Sequence, residues 1–218
     1  ADGAQRIARA QVRIPLVVVA DPRAILGQVS ARVYGTDRIR PRMIGITGTN
    51  GKTTTAYLVA SALDALGHTT GLIGTVETRV AGERMPSART TPEAPDLHAL
   101  LAAMVQAGVD TCVMEVSSHA LALHRVDGVV YDVAVFTNLT QDHLDFHASM
   151  QEYFLAKADL FSPARARQGI ICVDDAYGVS LAKSAQIPVQ TLGRADADWL
   201  LTPDSDEPGS FTLTHGDT

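Results

Sequence analysis

Apolar and polar positions along this chain alternate between two periods. Short, nearly continuous apolar runs at residues 16–20, 43–46, 72–73, 111–116, 133–137, 169–173 and 189–192 have the length and the flanking turn residues of buried strands. Between them, apolar residues recur at intervals of three and four, the spacing of one helix face. Ile25, Leu26, Val29 and Val33 follow Asp21-Pro22, an N-cap acceptor and a first-turn proline, and Gly35 closes the segment. Val59, Ala62, Leu63 and Leu66 mark the buried side of a second helix, stopped by Gly67. Thr90-Thr91-Pro92-Glu93 predicts the start of a third by the same logic of cap and proline, with Leu97, Leu100, Leu101 and Met104 on one face before Gly108. Ser149 and Glu152 form a capping box for a fourth, and a fifth runs through Leu181.

Residues 75–80 alternate and meet a turn at Ala81-Gly82; residues 199–202 and 210–214 flank an acidic turn and read as late antiparallel strands. Strands alternating with helices predict an α/β fold, a mostly parallel sheet with helices on both faces. Residues 1–20 read as the remnant of a preceding domain and residues 21–218 as one domain.

Composition narrows the function. An apolar content of 46% in 218 residues is enough for a real core, while a net charge of −6 argues against a general nucleic-acid binder, which needs a basic surface. Phosphate chemistry must therefore be local. Cys112 and Cys172 each sit in an apolar, strand-like run, so buried free thiols in a reducing compartment are expected. No apolar run approaches the roughly 20 residues that span a bilayer, and the first residues lack a secretory signal's apolar stretch. A soluble, cytoplasmic protein is the expectation.

The local phosphate site is residues 43–55, MIGITGTNGKTTT. An apolar run enters a glycine-rich turn, and Lys52 with three threonines then opens a helical pattern. Glycine frees backbone N–H groups to point into the bend, the helix end adds partial positive charge, and Lys52 adds a full one. Thr53 would offer its hydroxyl to Mg²⁺. The general phosphate-loop pattern is broken at its first glycine, where this chain has Ile46, leaving Gly48-x-x-Gly51-Lys52-Thr53.

Three further features converge on the carboxyl edge of the predicted sheet. Glu115 interrupts a buried strand, which is costly unless the carboxylate is paired, by a structural arginine or at a functional site. Residues 138–147, NLTQDHLDFH, follow another strand directly; His143 is a candidate ligand or a hydrogen-bonded core histidine, and His147 reads as structural. Lys157 falls on the side of its helix that carries Tyr153, Phe154, Leu160 and Phe161. It either snorkels from the helix edge or, with its pKa lowered by apolar surroundings, reacts as a neutral amine with carbon dioxide to give an anionic carbamate. Oxygen ligands with one imidazole suit Mg²⁺ or Mn²⁺ better than zinc.

GITGTNGKTTT, TTPEAPDL, MEVSSHALALHRV, FTNLTQDHLDFH and YFLAKADLF, in unbroken order over residues 43–161, resemble the Mur ligases, ATP-dependent enzymes that add amino acids to the peptidoglycan precursor. The shortened phosphate loop is that family's own version. Within the family, TTPE and EVSSH resemble the enzyme adding the third amino acid, which accepts UDP-N-acetylmuramoyl-L-alanyl-D-glutamate. The resemblance implies that Gly48, Thr49, Asn50, Gly51, Lys52, Thr53 and Thr54 bind ATP. It implies catalytic roles for Lys52, Glu115, His143 and Lys157, and magnesium held by Thr53, Glu115, His143 and the Lys157 carbamate. Thr90, Thr91, Ser117 and Arg125 would contact the UDP-muramoyl dipeptide. Arg89 and Leu123 depart from the asparagine and glutamine expected at two substrate-contact positions.

The implied reaction is attack of the dipeptide's γ-carboxylate on the ATP γ-phosphate, then displacement of phosphate from the acyl phosphate by an amine. The alanine- and arginine-rich character of the chain favours meso-diaminopimelate over L-lysine as that amine. The amine is brought by a C-terminal domain not read in these 218 residues, so the chain, taken as a monomer, is expected to bind nucleotide without completing ligation. Three alternatives remain: folylpolyglutamate synthase, which shares the fold but usually has a serine soon after the loop lysine and lacks TTPEAPDL; a zinc hydrolase built on Asp142, His143, Asp145 and His147; and a nucleotide-controlled switch without catalysis.

Overall fold

The structure, a computed structural model, describes residues 17–142, 145–204 and 209–216. Its strands are β1 (Arg42–Thr47), β2 (Thr70–Ile73), β3 (Glu77–Val80), β4 (Glu83–Pro86), β5 (Thr111–Glu115), β6 (Val133–Phe136), β7 (Gly169–Cys172), β8 (Val189–Gly193), β9 (Trp199–Pro203) and β10 (Phe211–His215). The helices are α1 (Pro22–Tyr34), α2 (Lys52–Ala65), α3 (Ala94–Gln106), α4 (Ser118–Ala122), α5 (Met150–Ala158) and α6 (Ala176–Ser184). The strands join in one sheet of order β10-β9-β8-β7-β6-β1-β5-β2-β3-β4, antiparallel only at the hairpins β2-β3-β4 and β9-β10. β1 lies between its parallel neighbours β5 and β6. The chain leaves β1 towards β2 on one side, and β5 later passes across to β6 on the other. That reversal puts a crevice beyond the carboxyl end of β1, where open α/β sheets bind ligands.

Adjacent residues of the central strands point to opposite faces, so each strand feeds two cores. Ile46, Leu72 and Val113 pack on Ala56 and Ala60 of α2. Met43, Ile73, Cys112 and Met114 join Leu97, Leu101 and Met104 of α3 and Tyr153 and Phe154 of α5 on the other side. Helices therefore cover both faces, as the alternation predicts.

Several local expectations are corrected. The Asp21 side chain caps α1 and Gly35 ends it in the left-handed conformation, but Ile25, Leu26, Val29 and Val33 face outward, Val33 with 74% of its surface exposed. The buried side is Gly27, Ser30 and Ala31. A Cβ on Gly27 would collide with the carbonyl of Asp127, so α1 docks by its small residues, and the close approach outweighs the apolar stripe. On α2, Val59 and Leu63 are half-buried, while Ala62 and Leu66 are exposed and the alanines at 56 and 60 carry the contact. α3 starts at Ala94, with Glu93 at the N-cap and Pro95 rather than Pro92 in its first turn, because Thr91 is already buried in another network. Residues 17–20 form no strand. Cys112 is fully buried, which pushes its thiol up to about 12, whereas Cys172 is only half-buried. Among the described residues no helix is long and apolar enough to cross a membrane.

His98, which the helical pattern passes over as a polar position, is fully buried on α3. Its Nε2 lies 3.0 Å from the Asp127 carbonyl and its Nδ1 2.6 Å from Thr36 Oγ1. A carbonyl accepts only, so Nε2 carries the proton and Nδ1 accepts from the threonine hydroxyl. One neutral imidazole thus ties the turn after α1 to α3 and to the 127 segment. Burial lowers its pKa below 6.5. The unfolded chain then takes up the proton first, so His98 contributes stability above about pH 6.5 that is lost as the pH falls. Urea midpoints measured between pH 7.5 and 5 will fall with acid, and His98→Gln will flatten that part of the profile while lowering stability at pH 7.5.

Candidate nucleotide site

The turn between β1 and α2 is built by two glycines in conformations that side chains disfavour. Gly48 has φ 147°, and Gly51, the N-cap of α2, has φ 84°. No side chain caps α2 and no acidic residue sits in its first turn, so its free N–H groups face the crevice. The loop is laced to the end of β6. Asn50 N–H donates to Asn138 Oδ1 (3.0 Å), Thr137 Oγ1 and Asn138 Nδ2 donate to the Asn50 carbonyl (2.7 and 3.1 Å), and Thr49 N–H donates to the Asn138 carbonyl (2.9 Å). A Cβ at Gly48 would occupy the place of Thr137 Oγ1. Leu139 N–H donates to Asp175 Oδ2 (3.0 Å), while Asp175 Oδ1 caps α6 by accepting from Gly178 N–H.

Glu115, at the last position of β5, is 1% exposed. Its partners among the described residues are three donors rather than an arginine: Thr53 Oγ1 (3.0 Å), Thr75 N–H (2.7 Å) and Thr75 Oγ1 (3.1 Å). Thr75 Oγ1 also meets Thr90 Oγ1 at 3.0 Å. Thr91 Oγ1 donates to the Glu115 carbonyl and accepts from Ser117 N–H, which fixes the TTPE segment above the strand ends. Residues 49–54, Thr75, Thr90, Glu115 and Ser117 line a cleft of about 370 Å³. A second cavity, of about 470 Å³, is walled by Met85, Pro86, Pro92 and Leu100 together with Arg89 and Glu93, and contains none of the loop residues.

Two lysines meet at the loop. Lys52 Nζ donates to the carbonyls of Gly48 (2.9 Å) and Thr49 (2.8 Å), and Lys157 Nζ reaches the same Gly48 carbonyl at 2.8 Å. Lys157 is buried, and its ammonium lies 4.5 Å from the centre of the Tyr153 ring. Burial and the neighbouring Lys52 charge lower its pKa to about 7. Burial also lowers that of Lys52, against the pull of Glu115 and Asp142. Thr53, Glu115, Lys52 and Lys157, scattered over more than a hundred positions of sequence, are thus brought together at one loop.

His143 lies outside the described residues. His147 is buried, with Nε2 3.0 Å from Ser118 Oγ and its ring against Tyr153. Among the described residues no three His, Cys, Asp or Glu side chains form a metal-holding group; the zinc-hydrolase set includes His143 and so lies partly outside them. Arg125 pairs with Glu93, its Nε 3.0 Å from Oε1. Sequence reading missed that pairing, and it missed Thr75, whose neighbourhood to Glu115 exists only because β2 and β5 pair in parallel.

Residues 46–209 match the family model described as Mur ligase middle domain. The chain belongs to the Mur ligase family. It is 54% identical over 200 residues to the UDP-N-acetylmuramoyl-L-alanyl-D-glutamate--2,6-diaminopimelate ligase of Streptomyces coelicolor, covering 90% of this chain and 39% of that protein. It is 52% identical over 193 residues to the enzyme of the same name from Corynebacterium glutamicum, covering 86% and 37%. This Mur ligase chain therefore spans about two fifths of the length of the curated relatives it matches. A solved ligase of that name superposes with a TM-score of 0.76 at 28% identity, over 90% of this chain and 42% of that one. Escherichia coli FolC with DHPP and ADP, at 20% identity and a TM-score of 0.69 over 98% of this chain and 55% of that one, shares the fold.

In this member of the Mur ligase family the loop depends on the bare Cα at residue 48. Gly48→Ala will leave the far-ultraviolet circular dichroism spectrum unchanged but push the loop off β6, and amide hydrogen exchange at Thr49 and Asn50, whose N–H groups Asn138 holds, will quicken at least about tenfold.

Proposed function

We propose that this chain is the ATP-binding, carboxylate-activating part of the enzyme that adds meso-diaminopimelate to UDP-N-acetylmuramoyl-L-alanyl-D-glutamate in the cytoplasm. The observation that carries the reading is the meeting of an uncapped helix N-terminus, Lys52, Thr53 and buried Glu115 at one cleft, in a chain 54% identical to a ligase of that name. Residues 21–218 form the central ATPase unit and residues 1–20 belong to the unit before it.

The donor set suits magnesium: the Thr53 hydroxyl and a Glu115 oxygen, 3.0 Å apart, are hard oxygen ligands at a cleft with room for a polyphosphate. Thr53, Glu115, His143 and the Lys157 carbamate would hold it, and when bound it supplies neutralisation of charge on the phosphates. Gly48 to Thr54 supply backbone N–H groups to the phosphates, and the Lys52 ammonium offsets charge on the transferring group. Thr90, Thr91, Ser117 and Arg125 orient the dipeptide so that its γ-carboxylate oxygen attacks the γ-phosphorus in line, releasing ADP. The incoming amine then attacks the acyl carbon and phosphate leaves. Because the Lys157 amine is half neutral near pH 7, it can bond to the carbon of carbon dioxide and lose a proton, placing a carbamate anion beside Lys52.

Calorimetry with ATP and Mg²⁺ will show binding by this chain and at least about tenfold weaker binding by Lys52→Ala; no heat from the unaltered chain would overturn the proposal. Phosphate release by the ligase carrying this domain will require the UDP-muramoyl dipeptide and meso-diaminopimelate, with L-lysine a poor substitute. In ¹³CO₂-equilibrated buffer, a carbamate carbon resonance will be present in this chain and lost in Lys157→Arg.

A further inference from the structure

Glu93 occupies the N-cap position of α3, yet its carboxylate does not cap the helix. It bridges two arginines instead: Oε1 lies 3.0 Å from Arg125 Nε, and Oε2 lies 3.3 Å from Arg23 Nη1. The same Arg23 nitrogen donates to the Leu123 carbonyl at 3.2 Å, two residues before Arg125. The arrangement ties α1, the start of α3 and the segment after α4 into one clamp. Glu93 lines the neighbouring cavity and follows Thr91 by two residues; Thr91 is locked to the Glu115 carbonyl and Ser117, so the backbone ties the clamp to the segment whose Thr90 lines the cleft.

The contact with Arg125 has a particular form. The Arg125 side chain is 13% exposed, and its Nε is near Glu93 without the alignment of a hydrogen bond. Glu93 therefore acts on the guanidinium through charge from the Nε side. Among the described residues no other carboxylate lies within ion-pair distance of Arg125, so the two Nη groups, the fork that grips a carboxylate bidentately, are not taken by a protein acid. Glu93, shared with Arg23, also offsets part of the charge on the Arg125 guanidinium. An anion held there is selected by the geometry of the fork more than by bare attraction.

We propose that Glu93 is a positioning residue: it sets the Nη fork of Arg125 for the non-reacting α-carboxylate of the acidic dipeptide, and Arg23 steadies Glu93 from α1. This rests on the ligase reading above. The γ-carboxylate must stay free to attack phosphorus, so a fixed cationic fork serves the other carboxylate. Glu93 is then a specificity determinant that touches no substrate atom.

The test compares UDP-N-acetylmuramoyl-L-alanyl-D-glutamate with the same molecule bearing an α-amide, as substrates of the ligase that carries this domain. The unaltered enzyme will prefer the α-carboxylate in kcat/KM. Glu93→Gln will reduce that preference about tenfold, mainly through KM for the carboxylate, with ATP affinity unchanged. Glu93→Asp will recover part of the preference, and Arg23→Ala, which leaves Glu93 in place, will shift it in the same direction by less. If both substrates lose kcat/KM equally in Glu93→Gln, or if the preference stays unchanged in both Glu93→Gln and Arg23→Ala, the assignment is wrong and Glu93 is merely structural. If the unaltered enzyme releases no phosphate with the dipeptide, the ligase reading itself fails, a result separate from either of those.

Discussion

The docking of the glycine loop on the end of β6 is the contact on which the rest of the site depends. It consists almost wholly of backbone groups and short polar side chains: the carbonyls of Asn50 and Asn138, the amide of Asn138 and the hydroxyl of Thr137. Short groups leave little freedom, so the protein's own contacts fix the loop conformation and its ordering cost is met on folding. The parallel pairing of β1 with β6 sets the two strand ends level and makes the lacing possible. Move that register by one residue and Thr137 no longer meets Gly48.

One carbonyl, that of Gly48, accepts from two lysines that arrive from opposite directions of sequence. Lys52 enters from the first turn of α2 and Lys157 from the last turn of α5. Burial is the main reason that Lys157 is displaced so far from its ordinary range, and repulsion from the Lys52 ammonium, which shares its acceptor, adds to it. Glu115 stands nearby with hydroxyl and amide donors rather than a guanidinium, so it keeps an acceptor surface in the cleft instead of being consumed by a structural ion pair.

The fold was largely legible because its strands are short apolar runs and its helices carry strong stop and start signals. Asp21, Gly35, Ser149 and Gly108 act where the pattern places them. The loop and the two lysines were legible for a chemical reason, since a buried cation or carboxylate is costly and its presence in an apolar setting is a signal in itself. The failures share a cause. On α1 and α2 the buried faces are made of Gly27, Ala31, Ala56 and Ala60, whose value lies in how close they let two backbones come, and hydrophobic spacing is blind to that. Thr75, Glu93 and His98 act through partners tens of residues away, so their roles exist only after the sheet has assembled.

Asp175 divides its two oxygens between the first turn of α6 and the amide of Leu139, the residue next to the one that laces the glycine loop. A single carboxylate thus links α6 to the turn that laces the glycine loop. Loss of that one carboxylate would uncap α6 and leave the Leu139 amide without its acceptor at the same time.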